Sequence, residues 1–377
     1  MATNRDRPAI GVSLSQRLLF FCSRLLRLDG LLISALLALM VLGLVVLYSA
    51  GEHEADLLVK QSLRLAMAMG VAVVLAQMPP RVLRYWSPMI YMLALCLLVA
   101  VLIIGVGKGA QRWLDFGVIR FQPSEMMKLA LPMTVAWLFH GQRLPPRWWL
   151  VLAALLIIGV PVVLIAKQPD LGTSILIGAS GLAVVFLSGI GWRYIVAGGA
   201  LAAAAAPALW LVMKDYQRNR IRTFLDPTSD PLGQGWNIIQ SQIAVGSGGF
   251  WGKGWQQGTQ SHLEFLPESH TDFILAVFSE EFGLVGVLGL FTLYLLIAWR
   301  GLYIASQARD NYGRMLAGSL SLIFFVYVLV NAGMVSGLLP VVGVPLPLIS
   351  YGGTSAVTLM AGFGLVMSVH NHRRIWS

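Results

Sequence analysis

The chain has 377 residues, of which 57% are hydrophobic and only 12% are charged, and its mean hydropathy is +0.74. So few polar groups cannot cover a soluble globule, which excludes that class and indicates an integral membrane protein. The net charge of +10 is explained by basic connections that face anionic lipid headgroups, so membrane lipids are expected partners and nucleic acid is not.

Ten apolar segments are candidates to cross a bilayer core about 30 Å thick, which needs roughly 20 helical residues. They are residues 30–50, 63–78, 86–106, 123–139, 148–166, 172–189, 193–213, 273–299, 315–337 and 350–369. This pattern predicts an all-α, polytopic membrane protein with about ten transmembrane helices and one large extracytoplasmic loop, residues 214–271. The predicted organisation is a tail (1–29), a transmembrane domain (30–370) that includes this loop, and a second tail (371–377).

Arginine is concentrated at alternate connections, which is typical of the cytoplasmic side. The residues concerned are Arg5, Arg7, Arg17, Arg24, Arg27, Arg81, Arg84, Arg143, Arg147, Arg193, Arg300, Arg309, Arg373 and Arg374. Both termini are therefore expected in the cytoplasm. Because Arg17, Arg24 and Arg27 share a helical face beside an apolar run, the N-terminal tail is predicted to hold an interfacial helix, with a disordered tail as the alternative.

Charged side chains at the edge of a membrane usually line a cavity or meet a partner. The second outer connection carries Lys108, Arg112 and Arg120, and the fourth span begins with Glu125 and Lys128, which share a face at i,i+3 spacing. This pair is either a salt bridge that makes a helix end tolerable or part of a charged cavity wall. The neighbouring Arg112 favours the cavity wall.

Asp170 is a further carboxylate at the edge of the membrane, just before the sixth span, and it is followed by Thr173 and Ser174. An acidic residue at this position can cap the helix by accepting a hydrogen bond from its first turn. Capping and a role in the cavity both stay open for Asp170.

The one long connection runs from Lys214 to Thr271. Connections of this length are usually functional or disordered. Disorder is not expected here, because aromatic and aliphatic residues are spaced to pack as anchors: Trp236, Ile238, Ile239, Ile243, Val245, Phe250, Trp251 and Trp255. Arg218, Arg220 and Arg222 suit an anionic headgroup or a diphosphate, although a solvated surface explains this run as well.

The last outer connection, residues 337–355, has no charge but contains Pro340, Pro345 and Pro347, which prevent a regular helix. Irregular backbone at membrane depth is tolerated where it is buried in protein or lines a cavity. Together with the charged residues above, this predicts an outward-facing cavity at the membrane surface.

Seven segments, in this order, resemble the SEDS family of shape, elongation, division and sporulation proteins. They are GAQRWLDFG, FQPSEMMKLAL, QPDLGTS, IAVGSGGFWGKGW, LPESHTDFI, SEEFG and VGVPLPLISYGGTS. Residues 168–174 and 262–273 are more similar to the elongation members of the family than to the division members. The resemblance covers nearly the whole chain.

The resemblance implies a peptidoglycan glycosyltransferase that polymerises lipid II on the outer face of the bacterial cytoplasmic membrane. The expected partners are a class B penicillin-binding protein that supplies the transpeptidase, lipid II, the polyprenyl-diphosphate-linked glycan and the elongation machinery. The family's essential aspartate falls on Asp272 and its helix pair on Glu125 and Lys128. Further cavity residues are expected to be Arg112, Asp170, Lys108, His270, Ser350 and Tyr351.

The chemistry fits an aspartate at the interface. The 4-hydroxyl of an acceptor sugar attacks the anomeric carbon of a diphosphate-linked sugar, so it needs a base, and the departing diphosphate needs positive charge. Asp272 can be the base, with capping of the eighth helix as the alternative. Glu280 and Glu281, deeper in the same helix, are interpreted as structural. No cofactor is recognised, and a divalent cation such as Mg²⁺ stays open.

Two other functions remain at this point. A lipid II flippase also predicts many helices and a charged cavity, but it would need a polar path from the inner side, whereas the hydrophilic residues crowd the outer side. A non-catalytic scaffold would leave Asp272 and Glu125 without a task.

Overall fold

The structure, a computed structural model, describes residues 28–51, 54–106, 112–115, 117, 120–213, 215–230, 233–259 and 269–372. Most of these residues are helical. The helices are α1 (Gly30–Ala50), α2 (Ala55–Gln77), α3 (Pro80–Ile104), α4 (Pro123–Phe139), α5 (Trp148–Lys167), α6 (Leu171–Leu187), α7 (Trp192–Val212), α8 (Asp215–Leu225), α9 (Gln234–Ser247), α10 (Ile274–Ser306), α11 (Asn311–Val335) and α12 (Gly353–Asn371). Strands β1 (Leu114–Asp115) and β2 (Arg120–Phe121) form a short antiparallel hairpin. The predicted interfacial helix and Lys108 lie outside the described residues.

The ten predicted spans correspond to α1–α7 and α10–α12. Seven of these helices are long and apolar enough to cross a membrane, and α6 is a shorter apolar helix. The polytopic helical fold is therefore confirmed. The largest error is at α2, which begins at Ala55 instead of residue 63. An ion pair between Lys60 Nζ and Asp56 Oδ2, 2.7 Å apart at i,i+4 spacing, supports this polar first part of the helix.

The long connection contains α8, a 3₁₀ turn at Pro227–Ser229 and α9. Of the eight predicted anchors only Ile238 is buried, whereas Trp236, Ile243, Val245, Phe250, Trp251 and Trp255 are exposed. Most of these side chains therefore do not pack into the protein interior, although Trp255 contacts α1, where its Nε1–H donates to Val45 O at 3.3 Å. The physical reason is that the part after α9 is held mainly by its backbone and by two carboxylates.

Backbone pairing docks residues 249–254 onto a kink in α10 at Gly283, whose φ is +63°. Four hydrogen bonds of 3.0 to 3.2 Å connect this segment with residues 280–285, two in each direction. Glycine is required because the chains approach so closely that a Cβ at Gly252 would lie 2.1 Å from the carbonyl oxygen of Glu281. The kink releases backbone groups of α10, and the glycine-rich segment satisfies them.

Glu280 and Glu281 hold the same segment with their side chains, and both are buried. Glu280 Oε1 accepts hydrogen bonds from Lys253 Nζ at 2.6 Å and from the backbone N–H and hydroxyl of Thr259 at 2.9 Å each. Glu281 Oε1 accepts one from Ser49 Oγ of α1. These contacts support the interpretation that the two glutamates are structural.

At the opposite end of α10, Asp29 caps α1 and pairs with Arg300. Asp29 Oδ1 accepts from the N–H of Leu32 at 2.8 Å, and Arg300 Nη2 lies 2.6 Å from Asp29 Oδ2. Burial alone would raise the pKa of Asp29, but the hydrogen bonds from Arg300 and Leu32 and the positive charge of Arg300 lower it overall. The first helix is thereby fixed to α10 at the end that the arginine pattern assigns to the cytoplasm.

Candidate active site

Three consecutive backbone carbonyls before α10 are each held by a group from α11 or from the connection that follows it. The N–H of Tyr351 donates to His270 O at 2.9 Å, and Ser350 Oγ donates to Thr271 O at 2.6 Å. Asn331 Nδ2, near the end of α11, donates to Asp272 O at 2.8 Å. The backbone that carries the Asp272 side chain is therefore fixed over three residues.

The Asp272 side chain is partly exposed beside Gly343. A Cβ built on Gly343 would lie 3.5 Å from Asp272 Oδ2, and Gly343 has a φ of +73°. The N-cap of α10 is Phe273, so Asp272 lies before the capping position. A glycine opposite the carboxylate leaves room in which a substrate hydroxyl could approach.

The connection between α11 and α12, residues 336–352, is irregular, as its prolines predicted, and it enters the helix bundle. Tyr294 in α10 donates its hydroxyl to Pro347 O at 2.8 Å. Leu348 O packs so close to Gly43 in the middle of α1 that a Cβ there would lie 2.8 Å away. Irregular backbone at this depth is stable because protein groups satisfy and cover it.

Glu125 and Lys128 form a buried ion pair, and both residues also line a cavity. Lys128 Nζ lies 2.6 Å from Glu125 Oε1, and the two side chains are 16% and 8% exposed. Glu125 Oε2 has no hydrogen-bond partner among the described residues. The cavity, of about 30 Å³, lies among α4, α6, α11 and α12 and is otherwise mostly apolar.

Tyr327 connects the ion pair to the site around Asp272. Lys128 Nζ lies 5.2 Å from the centre of the Tyr327 ring, and Tyr327 precedes Asn331 by one turn of α11. Tyr327 also packs in an apolar cluster with Val344, the residue after Gly343. The ion pair is thus a neighbour of the α11–α12 connection, which forms one wall of the Asp272 site.

Arg112 and Asp170 lie together at the start of α6. Arg112 Nη2 donates to Pro169 O at 2.5 Å, and Arg112 Nε lies 3.7 Å from Asp170 Oδ2. Asp170 Oδ1 accepts from the N–H of Thr173 at 3.2 Å, which makes Asp170 the N-cap of α6. Asp170 therefore caps its helix while it pairs with Arg112.

Arg64 and Gln61 of α2 belong to the site, and sequence reasoning missed both. The guanidinium carbon of Arg64 lies 4.6 Å from the centre of the Tyr351 ring, which packs edge-on against His270 at 6.2 Å. Gln61 is within 3.4 Å of Ser350 O and of the N–H of Gly352. The available signal was an amide and a cationic side chain next to the apolar part of α2.

The structure brings His270, Asp272, Ser350 and Tyr351 into direct contact or adjacency. Glu125 with Lys128, and Arg112 with Asp170, form two further charged groups on α4 and α6. Among the described residues no group of three or more His, Cys, Asp or Glu side chains is arranged to hold a metal ion.

Comparison with known proteins identifies the family. The profile of the FtsW/RodA/SpoVE cell cycle proteins matches residues 29–375. The chain belongs to this family. It is the family called SEDS above, so the resemblance seen in the motifs is confirmed.

Individual relatives cover almost the whole chain. Peptidoglycan glycosyltransferase MrdB of Escherichia coli K12 is 54% identical over 352 residues, which are 93% of this chain and 95% of MrdB. A probable peptidoglycan glycosyltransferase FtsW of Trichlorobacter lovleyi is 35% identical over 361 residues, 92% of this chain and 94% of that protein. The higher identity to MrdB agrees with the predicted similarity to the elongation members.

Two solved structures share the fold. A chain of a peptidoglycan synthase complex that coordinates polymerization and crosslinking is 36% identical, with a TM-score of 0.80 over 92% of this chain and 98% of the other. The Thermus thermophilus rod shape determining protein RodA is 30% identical, with a TM-score of 0.70 over 92% of this chain and 97% of RodA.

Proposed function

We propose that this peptidoglycan glycosyltransferase polymerises lipid II during cell elongation and that Asp272 is its general base. The observation that carries the proposal is the fixed backbone of residues 270–272, which presents one partly exposed carboxylate beside Gly343. A catalytic group held in place before the substrate arrives loses little freedom in the transition state, which favours catalysis.

The reaction joins two lipid-anchored sugars. The acceptor's 4-hydroxyl oxygen forms a bond to the anomeric carbon while the bond from that carbon to the diphosphate oxygen breaks, with inversion from α to β. The hydroxyl proton passes to the Asp272 carboxylate, and the diphosphate leaves with the bonding electrons. Because the lipid tails stay in the bilayer, the base has to stand at the membrane surface, where α10 begins.

Positive charge for the departing diphosphate comes, in this proposal, from Arg64. Its guanidinium stacks on the Tyr351 ring, which also contacts His270, and it forms no ion pair with any described residue. Guanidinium binds phosphate oxygens through two hydrogen bonds, whereas Lys128 and Arg112 are already paired with carboxylates. A divalent cation such as Mg²⁺, held by the diphosphate itself, could share this task.

The orientation in the membrane and the partner belong to the proposal as well. The arginine pattern supports cytoplasmic termini and a site on the outer face of the cytoplasmic membrane. A class B penicillin-binding protein is the proposed partner, supported by the structural similarity to a chain of a peptidoglycan synthase complex. Polymerisation should therefore rise when the partner is present, even if its transpeptidase site is blocked. Equal activity with and without the partner would refute the proposal that it activates polymerisation.

The decisive test compares Asp272→Asn with the parental protein in polymerising purified lipid II. Asparagine keeps the volume and loses the ability to accept the proton, so the rate should fall by about 10² to 10⁴. Asp215→Asn is the matched control, because Asp215 lies in the same outer connection and its side chain is 96% exposed. Near-parental polymerisation by folded Asp272→Asn protein would show that the carboxylate is structural. Loss of lipid II translocation alone, with polymerisation intact, would favour a flippase.

A further inference from the structure

A second cavity, of about 300 Å³, opens at the far end of the helix bundle from Asp272. It lies between the start of α3, the start of α11 and the end of α12, where Arg81, Arg309 and His372 line it. This is the end that the arginine pattern assigns to the cytoplasm. The proposed chemistry uses none of these side chains.

The cavity has an excess of positive charge. Arg81 and Arg309 are exposed, and neither forms an ion pair with a described residue. Asp310 is the acidic residue of the lining, but its Oδ1 accepts from the N–H of Gly313 at 2.9 Å and its Oδ2 lies 3.6 Å from Arg84 Nη1. The negative charge of Asp310 is therefore engaged by Arg84, and the two free arginines remain available to an anion.

The aromatic side chains near this cavity are of the kind that marks the level of lipid headgroups. Tyr85 and Trp86 are exposed one turn after Arg81, and Trp299 and Tyr303 are exposed near the end of α10. Tyrosine and tryptophan collect where a helix passes from hydrocarbon to water. The buried apolar side chain of Val369 forms another part of the lining, so the cavity joins a basic mouth to an apolar wall.

We propose that this cavity binds the phosphate of an anionic phospholipid of the adjacent leaflet, with Arg81 and Arg309 as its principal ligands. A lipid is favoured over free phosphate because the site combines two cations with apolar surface at the membrane boundary. The bound headgroup would tie together the ends of α3, α11 and α12. Asn331 lies near the other end of α11, and Tyr351 lies just before the other end of α12. The lipid would therefore stabilise the helices that frame the Asp272 site.

The experiment measures lipid binding to full-length protein by native mass spectrometry, with phosphatidylglycerol, phosphatidylcholine and inorganic phosphate as separate probes. The parental protein should retain phosphatidylglycerol in preference to phosphatidylcholine. A headgroup contact from an arginine is worth about 5-fold in affinity, so Arg81→Ala with Arg309→Ala should weaken binding by about 25-fold. The lysine versions of both changes should retain most of it.

Arg143→Ala with Arg147→Ala is the matched control, because both arginines are exposed in the α4–α5 connection, on the same predicted side but outside the cavity. This control should bind phosphatidylglycerol nearly as well as the parental protein. Equal loss in the two double variants would mean general surface attraction and overturn the site. Equal binding of phosphatidylcholine, or binding of inorganic phosphate as tight as that of the lipid, would overturn the proposed ligand.

Discussion

Neutralising Lys128 should destabilise the protein far more than neutralising Lys60, although each ammonium group lies close to a carboxylate. The Lys128–Glu125 and Lys60–Asp56 distances are nearly equal, at 2.6 and 2.7 Å. The first pair is almost covered, with side chains 16% and 8% exposed, whereas the second is 57% and 80% exposed. Burial, rather than distance, should therefore decide the cost.

The magnitude follows from what each change leaves behind. Removing one member of a buried pair typically costs about 3 to 5 kcal/mol. Lys128→Met belongs at the upper end, because Glu125 Oε2 already has no hydrogen-bond partner among the described residues and Oε1 would lose its ammonium. Glu125→Gln should cost less, about 2 to 3 kcal/mol, since the amide oxygen still accepts from Lys128 and the Tyr327 ring still faces the ammonium.

The double variant tests the coupling directly. Glu125→Gln with Lys128→Met strands no charge, so its loss of unfolding free energy should be smaller than the sum of the single losses by at least about 2 kcal/mol. Unfolding is measured in one detergent, with Asp56→Asn and Lys60→Met as the control cycle, which should be close to neutral. Strictly additive losses at Glu125 and Lys128, or a coupling no larger than in the control, would refute the reasoning.

Three further predictions concern other parts of the chain. A reporter at Ser377 should be cytoplasmic and one at Ser229 external, and the reverse result would invalidate the proposed orientation. Gly252→Ala should cost more than about 2 kcal/mol, whereas Gly246→Ala, with open space around its Cβ, should be neutral or stabilising. Because the pKa of Asp29 is lowered on folding, its contribution to stability is full above the ordinary value of 3.8 and declines as the pH falls through the folded pKa. The difference in melting temperature between parental protein and Asp29→Asn should therefore shrink in acid.

Features that depend on neighbouring residues could be predicted from the sequence. The apolar runs predicted ten helices because the length and composition of each run indicate by themselves that it can cross the bilayer. The Glu125–Lys128 pair and the Asp170 cap also arise within one turn of helix, so residue spacing was sufficient. The prolines at 340, 345 and 347 likewise acted locally, by excluding a regular helix from their connection.

Features that depend on distant contacts could not be predicted in this way. The aromatic residues after α9 looked like anchors because their spacing suits packing, but spacing does not reveal whether a partner surface exists. The surface that does exist is the kink at Gly283, which pairs with the glycine-rich backbone and leaves Trp251 and Phe250 exposed. A segment held by its backbone gives only a weak signal, namely its glycines and the acidic pair in α10.

Three polar residues within the helices, Gln61, Arg64 and Asn331, indicate where the helices meet the irregular connection. An amide or guanidinium at membrane depth is costly unless it meets a partner, so Gln61, Arg64 and Asn331 each predict a contact of functional or structural weight. Their partners all lie in one place: Gln61 and Arg64 reach residues 350–352, and Asn331 holds both Asp272 O and Val344 O. The irregular connection needs these side chains because no helix satisfies its backbone. The same bonds that make non-helical backbone tolerable within the bundle therefore also fix the position of the carboxylate.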